Sequence, residues 1–280
     1  MRSSFTVTVP ATSANLGPGF DAIGLAVDLF VRATVVPAAA FSLRFGAGRS
    51  IPTNAGFETE IVRAMEQVLG AGARPAVAIT IDNDIPLGKG LGASAAGAVL
   101  GVTIGAELAD EKPSAQRLAQ IVCALEGHPD NALPALLGGI VIAAMPEGEP
   151  PAYLRFDPPG NLQAIVAVPQ IVLPTAAARA LLPHQYDRAD VVFNVQRVAL
   201  LAASLACGDL RALRVATVDR IHQPYRAPLV PGFAEMLGFA LPGLLSVTLS
   251  GAGPSVLALA EGNGEAIGAA MRAAFAREGI

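Results

Sequence analysis

Residues Pro86 to Ala96 (PLGKGLGASAA) form a glycine-rich segment whose residue types suit the binding of phosphate. Gly88, Gly90 and Gly92 lack a Cβ atom, so the backbone can adopt left-handed angles and approach a ligand closely. The residues that follow, Ala93 to Ala109, favour a helix. Because unpaired amide groups and the helix dipole both attract an anion, this segment predicts a phosphate site at the start of that helix.

Two polar side chains of the segment could contact such a ligand. Lys89 adds a positive point charge, and the Ser94 hydroxyl could reach a metal ion held by the phosphates. A P-loop is excluded because Gly88-Lys89 is followed by Gly90 and not by Ser or Thr. The dinucleotide fingerprint is matched only formally, since no strand leads directly into Gly88. A glycine turn that merely caps a buried helix remains open and ranks below phosphate binding.

A second polar cluster, EGHPDN at residues 126–131, follows a predicted helix. The Glu126 carboxylate could complete the shell of a Mg²⁺ ion, which usually takes one or two protein carboxylates. A helix end followed by a Pro-Asp-Asn turn explains the cluster equally well. His128 has no visible carboxylate partner in the sequence, so a surface turn residue is the alternative for it.

Other polar residues could hold a small substrate. Asn15 and Asp21 lie in a glycine-proline loop and could bind an amino or hydroxyl group, although Asx turns explain them nearly as well. Thr175 and Arg179 would share a helix face and could grip a carboxylate together. Arg226 is a second possible carboxylate clamp. From the residues alone, solvated side chains are the favoured interpretation for both arginines.

Hydrophobic periodicity predicts the elements that position these residues. The predicted strands are Ser4–Val9 (ending at Pro10), Ala22–Pro37, Leu43–Phe45, Ala76–Asp82, Ile140–Ala144, Leu162–Val168, Leu245–Leu249 and Val256–Ala260. The predicted helices are Thr53–Leu69, Ala93–Ala109, Ser114–Leu125, a buried helix at Asp190–Ala206, and Glu265–Arg277. Loops are predicted at Ala11–Asp21 and, as a second glycine-rich turn, at Ser250–Ser255. Interleaved strands and helices indicate an α/β or α+β architecture with two domains, 1–150 and 151–280.

The composition restricts the classes of protein. Among 280 residues, 52% are hydrophobic and 15% charged, which is typical of a compact enzyme and excludes a disordered chain. A net charge of -4, no basic run and no tryptophan argue against a nucleic-acid partner. Neither a long apolar run nor a signal-peptide core is visible, so we expect a cytoplasmic protein without a membrane partner. Cys123 and Cys207 are expected to be reduced.

Four motifs together resemble the homoserine kinases, a family of the GHMP small-molecule kinase superfamily. In family order they are PATSANLGPGFDAIGLA, PLGKGLGASAA, EGHPDNALPALLGG and SGAGPS. The second motif resembles the ATP loop of the superfamily, and SANLGPGFD with EGHPDN narrows the resemblance to this family. It implies an α+β, two-domain GHMP kinase fold: an N-terminal domain like domain 2 of ribosomal protein S5 and a ferredoxin-like C-terminal domain.

The resemblance also implies an activity, which is ATP-dependent phosphorylation of the L-homoserine hydroxyl in threonine biosynthesis, with Mg²⁺ as cofactor. Ser94 and Glu126 match the metal-binding positions, and a homodimer is possible by analogy. The implied substrate residues are Asn15, Asp21, His128, Thr175, Arg179 and Arg226. The implied ATP-binding residues are Pro86, Leu87, Gly88, Lys89, Gly90, Leu91, Gly92, Ala93, Ser94, Ala95 and Ala96.

Lys89 and Asn131 are the residues expected at the centre of the reaction. Other superfamily kinases carry an aspartate base near the position of Asn131, and an asparagine cannot accept a proton in that role. The resemblance therefore implies direct in-line attack without a protein base. Three alternatives stay open: a GHMP kinase for another small alcohol, a non-catalytic nucleotide-binding homologue and, least favoured, a dinucleotide-dependent oxidoreductase.

Overall fold

The chain divides into two compact units. The structure, a computed structural model, describes residues 3–46, 56–173 and 175–280. The N-terminal unit comprises residues 1–12, 24–87 and 92–155, and the C-terminal unit comprises residues 13–23, 88–91 and 156–280. The turn at 13–23 and part of the glycine-rich segment thus belong to the C-terminal unit. The predicted domain boundary at residue 150 stays a prediction.

A mixed sheet forms the base of the N-terminal unit. Its strands are β1 (Phe5–Ala14), β2 (Ile23–Pro37), β3 (Ser42–Phe45), β4 (Val77–Asn83), β5 (Ile140–Ala144) and β6 (Ala152–Phe156). The strand order is β3-β4-β2-β5-β6, and β1 also pairs with β2. β4 runs antiparallel to the second half of β2 and parallel to β3. Burial alternates along β4, as expected for a strand with one covered face.

Helices cover the apolar side of this unit. They are α1 (Gly56–Leu69), α2 (Ala93–Leu108), α3 (Ala115–Glu126) and α4 (Pro129–Leu137). α2 is buried along most of its length and packs closely on α1. A Cβ atom at Gly101 would lie 2.2 Å from the carbonyl oxygen of Ile61, and one at Gly97 would lie 2.8 Å from the Phe57 ring. The glycines of α2 therefore allow α1 to approach its backbone.

The C-terminal unit has an antiparallel sheet in the order β7-β9-β8. Its strands are β7 (Gln163–Ala167), β8 (Leu244–Leu249) and β9 (Val256–Ala260). Its helices are α5 (Thr175–Ala180), α6 (Arg188–Cys207), α7 (Leu213–Ala216), α8 (Gln223–Arg226), α9 (Phe233–Leu237) and α10 (Gly264–Arg277). The core includes Phe233 and Met236 of α9, Met271 and Phe275 of α10, and Val256 of β9.

Two of the sequence expectations about these elements, and one alternative that the sequence left open, are wrong. β1 does not end at Pro10 but continues to Ala14; a proline is compatible with a strand wherever no ladder bond needs its N–H. The open alternative of a Pro-Asp-Asn turn is not formed, since these residues begin α4; Pro129 stands in the first helical turn, where a proline is favoured. α6 is not a buried helix, since large apolar side chains such as Val192 (49% exposed) and Val195 (59% exposed) face outward.

α6 is also the one helix among the described residues that is long and apolar enough to cross a membrane. Length and composition alone are weak support for a membrane span, because helices of soluble proteins pass the same test. Cys123 is buried and Cys207 exposed, and both are free thiols, as predicted. Burial raises the pKa of the Cys123 thiol to about 12, so it is protonated at neutral pH.

Candidate active site

The start of α2 carries a cluster of oxygen atoms in the N-terminal unit. α2 begins at Ala93, after Gly92 with a left-handed φ of 64°. The Ser94 hydroxyl lies 2.6 Å from Glu60 Oε1 and 2.8 Å from Glu126 Oε1. A serine hydroxyl has only one proton to donate, so it cannot satisfy both carboxylates at the same time. The cluster is therefore rich in acceptors and suits a bound cation.

The pKa shifts of the Glu60 and Glu126 carboxylates also favour a bound cation. Burial is the largest cause that raises the pKa of Glu60, the Ser94 hydrogen bond opposes it, and the charge of Glu126 raises it further. Burial likewise raises the pKa of Glu126, against the hydrogen bond from Ser94. Both negative charges are thus disfavoured, and a divalent cation would stabilise them. Hydroxyl and carboxylate oxygens are the hard ligands that Mg²⁺ prefers, so the donor set fits this ion.

Sequence reasoning named Ser94 and Glu126 but missed Glu60. Glu60 lies on α1, and α1 reaches the start of α2 because the glycines of α2 admit it. The spacing of Gly97, Gly101 and Gly105 was the available signal, since glycines four residues apart on a helix indicate a close helical neighbour.

Hydrogen bonds between side chains organise the polar cluster after α3. His128 Nδ1 lies 2.7 Å from Asp130 Oδ1, and Asp130 is 3% exposed. The expectation that His128 has no carboxylate partner is therefore wrong, because α4 turns Asp130 back towards the residue that precedes the helix. Thr12 Oγ1 donates to Asn131 Oδ1 at 2.7 Å, which fixes the orientation of the Asn131 amide.

Close packing around Gly92 holds Asn131 in place. A Cβ atom at Gly92 would lie 2.0 Å from Thr12 Oγ1 and 2.9 Å from Asn131 Oδ1. Only glycine fits here, both for its left-handed φ and for the space. Asn131 is therefore located beside the first turn of α2 in the N-terminal unit.

In the C-terminal unit, the turn at residues 15–21 is held by its own polar side chains. Asn15 Oδ1 accepts from the Asp21 N–H at 3.0 Å, and Asn15 Nδ2 donates to the Gly251 carbonyl at 3.0 Å. Asn15 and Asp21 both have positive φ, 73° and 55°. The Asn15 amide thus stabilises the turn, which is the alternative that the sequence left open; contact with a substrate stays a prediction.

Two arginines lie close to this turn. Arg179 donates to both oxygens of Asp21, at 2.8 and 3.0 Å, in a bidentate pair. Arg226 is 2% exposed, so the interpretation as a solvated side chain is wrong for it. The guanidinium carbons of both lie close to the Phe20 ring, 5.5 and 5.4 Å from its centroid. The Thr175 side chain lies outside the described residues.

The second glycine-rich turn, Ser250–Ser255, contacts the glycine-rich segment at Lys89 and Gly90. Ser250 Oγ donates to the Gly90 carbonyl at 2.7 Å, and the Ser255 N–H donates to the Lys89 carbonyl at 3.2 Å. Gly88, Gly90 and Gly92 all have left-handed φ, as predicted. The Lys89 ammonium donates to the carbonyl of Ile171. Burial lowers the pKa of Lys89. Its contact with a phosphate stays a prediction.

Comparison with known proteins assigns the family. The models for the N-terminal and C-terminal domains of GHMP kinases match residues 59–139 and 199–277. A homoserine kinase of Solibacter usitatus is 44% identical over 95% of this chain and 88% of its own length. A homoserine kinase of Moorella thermoacetica is 43% identical over 98% of this chain and 93% of its own. The chain belongs to the homoserine kinase family.

A solved structure agrees with membership of the homoserine kinase family. The crystal structure of homoserine kinase from Cytophaga hutchinsonii matches with a TM-score of 0.83 and 30% identity, over 99% of this chain and 92% of the other. The predicted α+β, two-domain GHMP kinase fold is thereby confirmed. The dinucleotide-dependent oxidoreductase alternative is wrong.

Proposed function

We propose that this protein is an ATP-dependent kinase that phosphorylates the hydroxyl of L-homoserine to O-phospho-L-homoserine, a step in threonine biosynthesis. Relatives named homoserine kinase, similar over nearly the whole chain, support the substrate. The observation that carries the phosphoryl-transfer chemistry is the position of Ser94, in the first turn of α2 and within hydrogen-bond distance of two carboxylates.

The phosphates of ATP bind at the glycine-rich segment and the start of α2. The first amide groups of a helix have no partner within the helix, and the dipole adds positive potential there. Left-handed glycines at 88, 90 and 92 support this assignment, because no side chain extends from these turn positions. Lys89 adds positive charge to the segment.

Ser94 and Glu126 hold Mg²⁺, with Glu60 as a further oxygen ligand or neighbour. When bound, the ion neutralises charge on the phosphates of the nucleotide. This chain's contribution is to keep two carboxylates around one hydroxyl before the ligand arrives, so that little has to be reorganised when it binds.

The amino-acid substrate carries one ammonium and one carboxylate, and the proposed groups match both. Arg226 and Arg179 suit the carboxylate, because a guanidinium binds carboxylate oxygens in a bidentate geometry. Asp21 suits the ammonium. The existing Asp21–Arg179 pair holds the two side chains in defined rotamers. Asn15, His128 and Thr175 complete the proposed substrate set.

The substrate hydroxyl attacks the γ-phosphorus of ATP in line, without a protein base, while the bond from that phosphorus to the β–γ bridging oxygen breaks and ADP leaves. Asn131 cannot accept a proton, and its amide oxygen already accepts from Thr12. Phosphoryl transfer needs mainly positioning and charge neutralisation, since its transition state is loose. The proton of the hydroxyl passes to the phosphate or to water.

We also propose a homodimer and a cytoplasmic location. The exposed apolar side chains of α6, among them Val191, Val192 and Val195, support association of two copies through this helix. Light scattering should give twice the chain mass, and Val195→Glu should reduce the measured mass to that of one chain.

A net charge of -4 supports the absence of a nucleic-acid partner.

A coupled assay of ADP release tests the function. L-Homoserine should be consumed with a kcat/KM at least tenfold above L-serine, L-threonine and mevalonate, and Ser94→Ala should abolish the signal. Preference for another alcohol would favour the alternative that this chain is a GHMP kinase for a different small alcohol. Nucleotide binding without turnover of any alcohol would favour a non-catalytic homologue.

A further inference from the structure

His222 is absent from the residues that the sequence predicts for the site, yet the structure gives it several buried contacts. It immediately precedes α8 and is 0% exposed. The Asp219 carboxylate fixes the backbone on both sides of it. Asp219 Oδ2 accepts from the N–H groups of His222 at 2.9 Å and Gln223 at 2.6 Å. The imidazole is thus carried by a rigid turn.

The contacts of the ring define its protonation. His222 Nε2 lies 2.8 Å from the Gly17 carbonyl oxygen, and Nδ1 lies 3.1 Å from Nη1 of Arg226. A carbonyl oxygen only accepts, so Nε2 must carry the proton. A guanidinium only donates, so Nδ1 must accept. The ring is therefore neutral and in the Nε2–H tautomer.

Charged neighbours agree with a neutral ring. Burial is the main cause that lowers the pKa of His222, and the Arg226 charge lowers it further. Asp219 and Asp21 act in the opposite direction but do not overcome burial. A second proton, on Nδ1, would point at the Arg226 guanidinium and break the contact between them.

The ring connects two parts of the proposed substrate site. Gly17 belongs to the turn that carries Asn15 and Asp21, and a Cβ atom at Gly17 would lie 2.1 Å from the Thr217 carbonyl oxygen. Arg226 also donates to the Ala178 and Gly251 carbonyls, and both of these hydrogen bonds are longer, at 3.4 Å, than its contact with His222 Nδ1. In addition, the His222 ring stacks on Phe20 of the same turn, with ring centroids 5.1 Å apart.

We propose that His222 is a positioning residue: its imidazole ties the Gly17 turn to the Arg226 guanidinium and so sets the spacing between the groups that receive the substrate's amine and carboxylate. This role rests on the proposed function, because it acts through Arg226 and Asp21 on the amino-acid substrate. Because His222 is 0% exposed, it acts on the substrate through these groups.

Three variants separate the two contacts of the ring. His222→Ala removes both. His222→Asn can place an amide oxygen near the position of Nδ1 and so restore an acceptor for Arg226. His222→Gln can place an amide N–H near the position of Nε2 and so restore the donor to Gly17. Met271→Ala, in the core of the same unit, is the matched control for lost stability without a change at the site.

The proposal predicts that loss of the imidazole changes the KM for L-homoserine but not the KM for ATP. His222→Ala should raise the KM for L-homoserine about 10- to 100-fold, the range for a lost hydrogen bond to a charged group, with an unchanged KM for ATP. The Asn and Gln variants should each recover part of this loss. Met271→Ala should lower the melting temperature but leave both KM values unchanged. An unchanged homoserine KM in a folded His222→Ala variant would overturn the proposal.

A measurement on the unmodified chain covers the case in which His222→Ala does not fold. The sequence has three histidines, so the ring nitrogens can be assigned by NMR. His222 should show the neutral Nε2–H form from pH 6 to 8, and an Nδ1–H form or a titration in this range would overturn the proposal. Should the chain not phosphorylate homoserine, the proposed function fails separately. The positioning role is then decided by this spectrum and by the KM of the variants for the alcohol that the chain does use.

Discussion

Gly90 is the position where one added methyl group tests the glycine-rich segment most sharply. A Cβ atom there would lie 2.4 Å from the Ser250 carbonyl oxygen and 2.6 Å from that of Gly253. Both atoms belong to the backbone and cannot rotate away. At Gly88 the nearest atom would be Cγ1 of Val172, at 3.9 Å, although its φ of 68° is close to the 77° of Gly90. Gly88→Ala is thus a matched control for Gly90→Ala.

The two variants should differ in stability by the cost of the steric overlap. A left-handed alanine costs about 1 to 2 kcal/mol in both. Gly90→Ala must in addition displace the Ser250–Ser255 turn, and overpacking of this kind costs about 1 to 3 kcal/mol. For a chain of this size, each kcal/mol lowers the melting temperature by about 2 to 4 °C. The decrease for Gly90→Ala should therefore be about twice that for Gly88→Ala.

Calorimetric melting and titration with MgATP measure both effects. Gly90→Ala should weaken nucleotide binding at least tenfold, because displacement of the turn also displaces the amides proposed to hold phosphate. Gly88→Ala should weaken it less. Equal melting temperatures would refute the steric argument. Unchanged MgATP affinity in a Gly90→Ala variant with a displaced turn would refute the assignment of the segment to phosphate.

Further predictions concern the charged and polar groups of both units. Because the pKa of Glu60 is raised, its contribution to stability is present below the ordinary carboxyl pKa and lost as the pH rises through the raised value. Glu60→Gln should therefore raise the melting temperature of the metal-free protein by about 1 to 3 °C at pH 7 and not at pH 4, and a decrease at pH 7 would contradict this. Arg179→Lys should raise the homoserine KM about tenfold without affecting that of ATP, since a lysine cannot make the bidentate pair with Asp21; an equal rise in both KM values would count against the assignment. Asn131→Ala should lower turnover less than about 100-fold, and a loss of about 10⁴-fold with unchanged substrate binding would mean that Asn131 takes part in proton transfer.

The glycine-rich segment could be predicted from sequence because its geometry is local. Glycines at 88, 90 and 92 required left-handed angles, and the small residues after them required a helix that begins at Ala93. Both requirements are fulfilled by backbone sterics within a few residues. The same holds for β9, whose bounds follow from an uninterrupted apolar run between turn residues.

What could not be predicted depends on residues far apart in the chain. Glu60 reaches Ser94 only because α1 packs on the glycines of α2; the glycine spacing indicates a close helical neighbour but not which residue of that helix reaches Ser94. The His222 contact with Gly17 spans most of the chain. His128 and Asp130 are close in sequence, but their pairing required α4, a helix that the sequence did not predict.

Phosphorus NMR of a single reaction mixture tests the central claim most directly. With MgATP and L-homoserine, the γ-phosphate signal of ATP should be replaced by one phosphomonoester signal coupled to two methylene protons, together with the signals of ADP. Formation of inorganic phosphate alone would contradict the account. So would a mixture in which homoserine stays unchanged while a different alcohol gains the phosphoryl group.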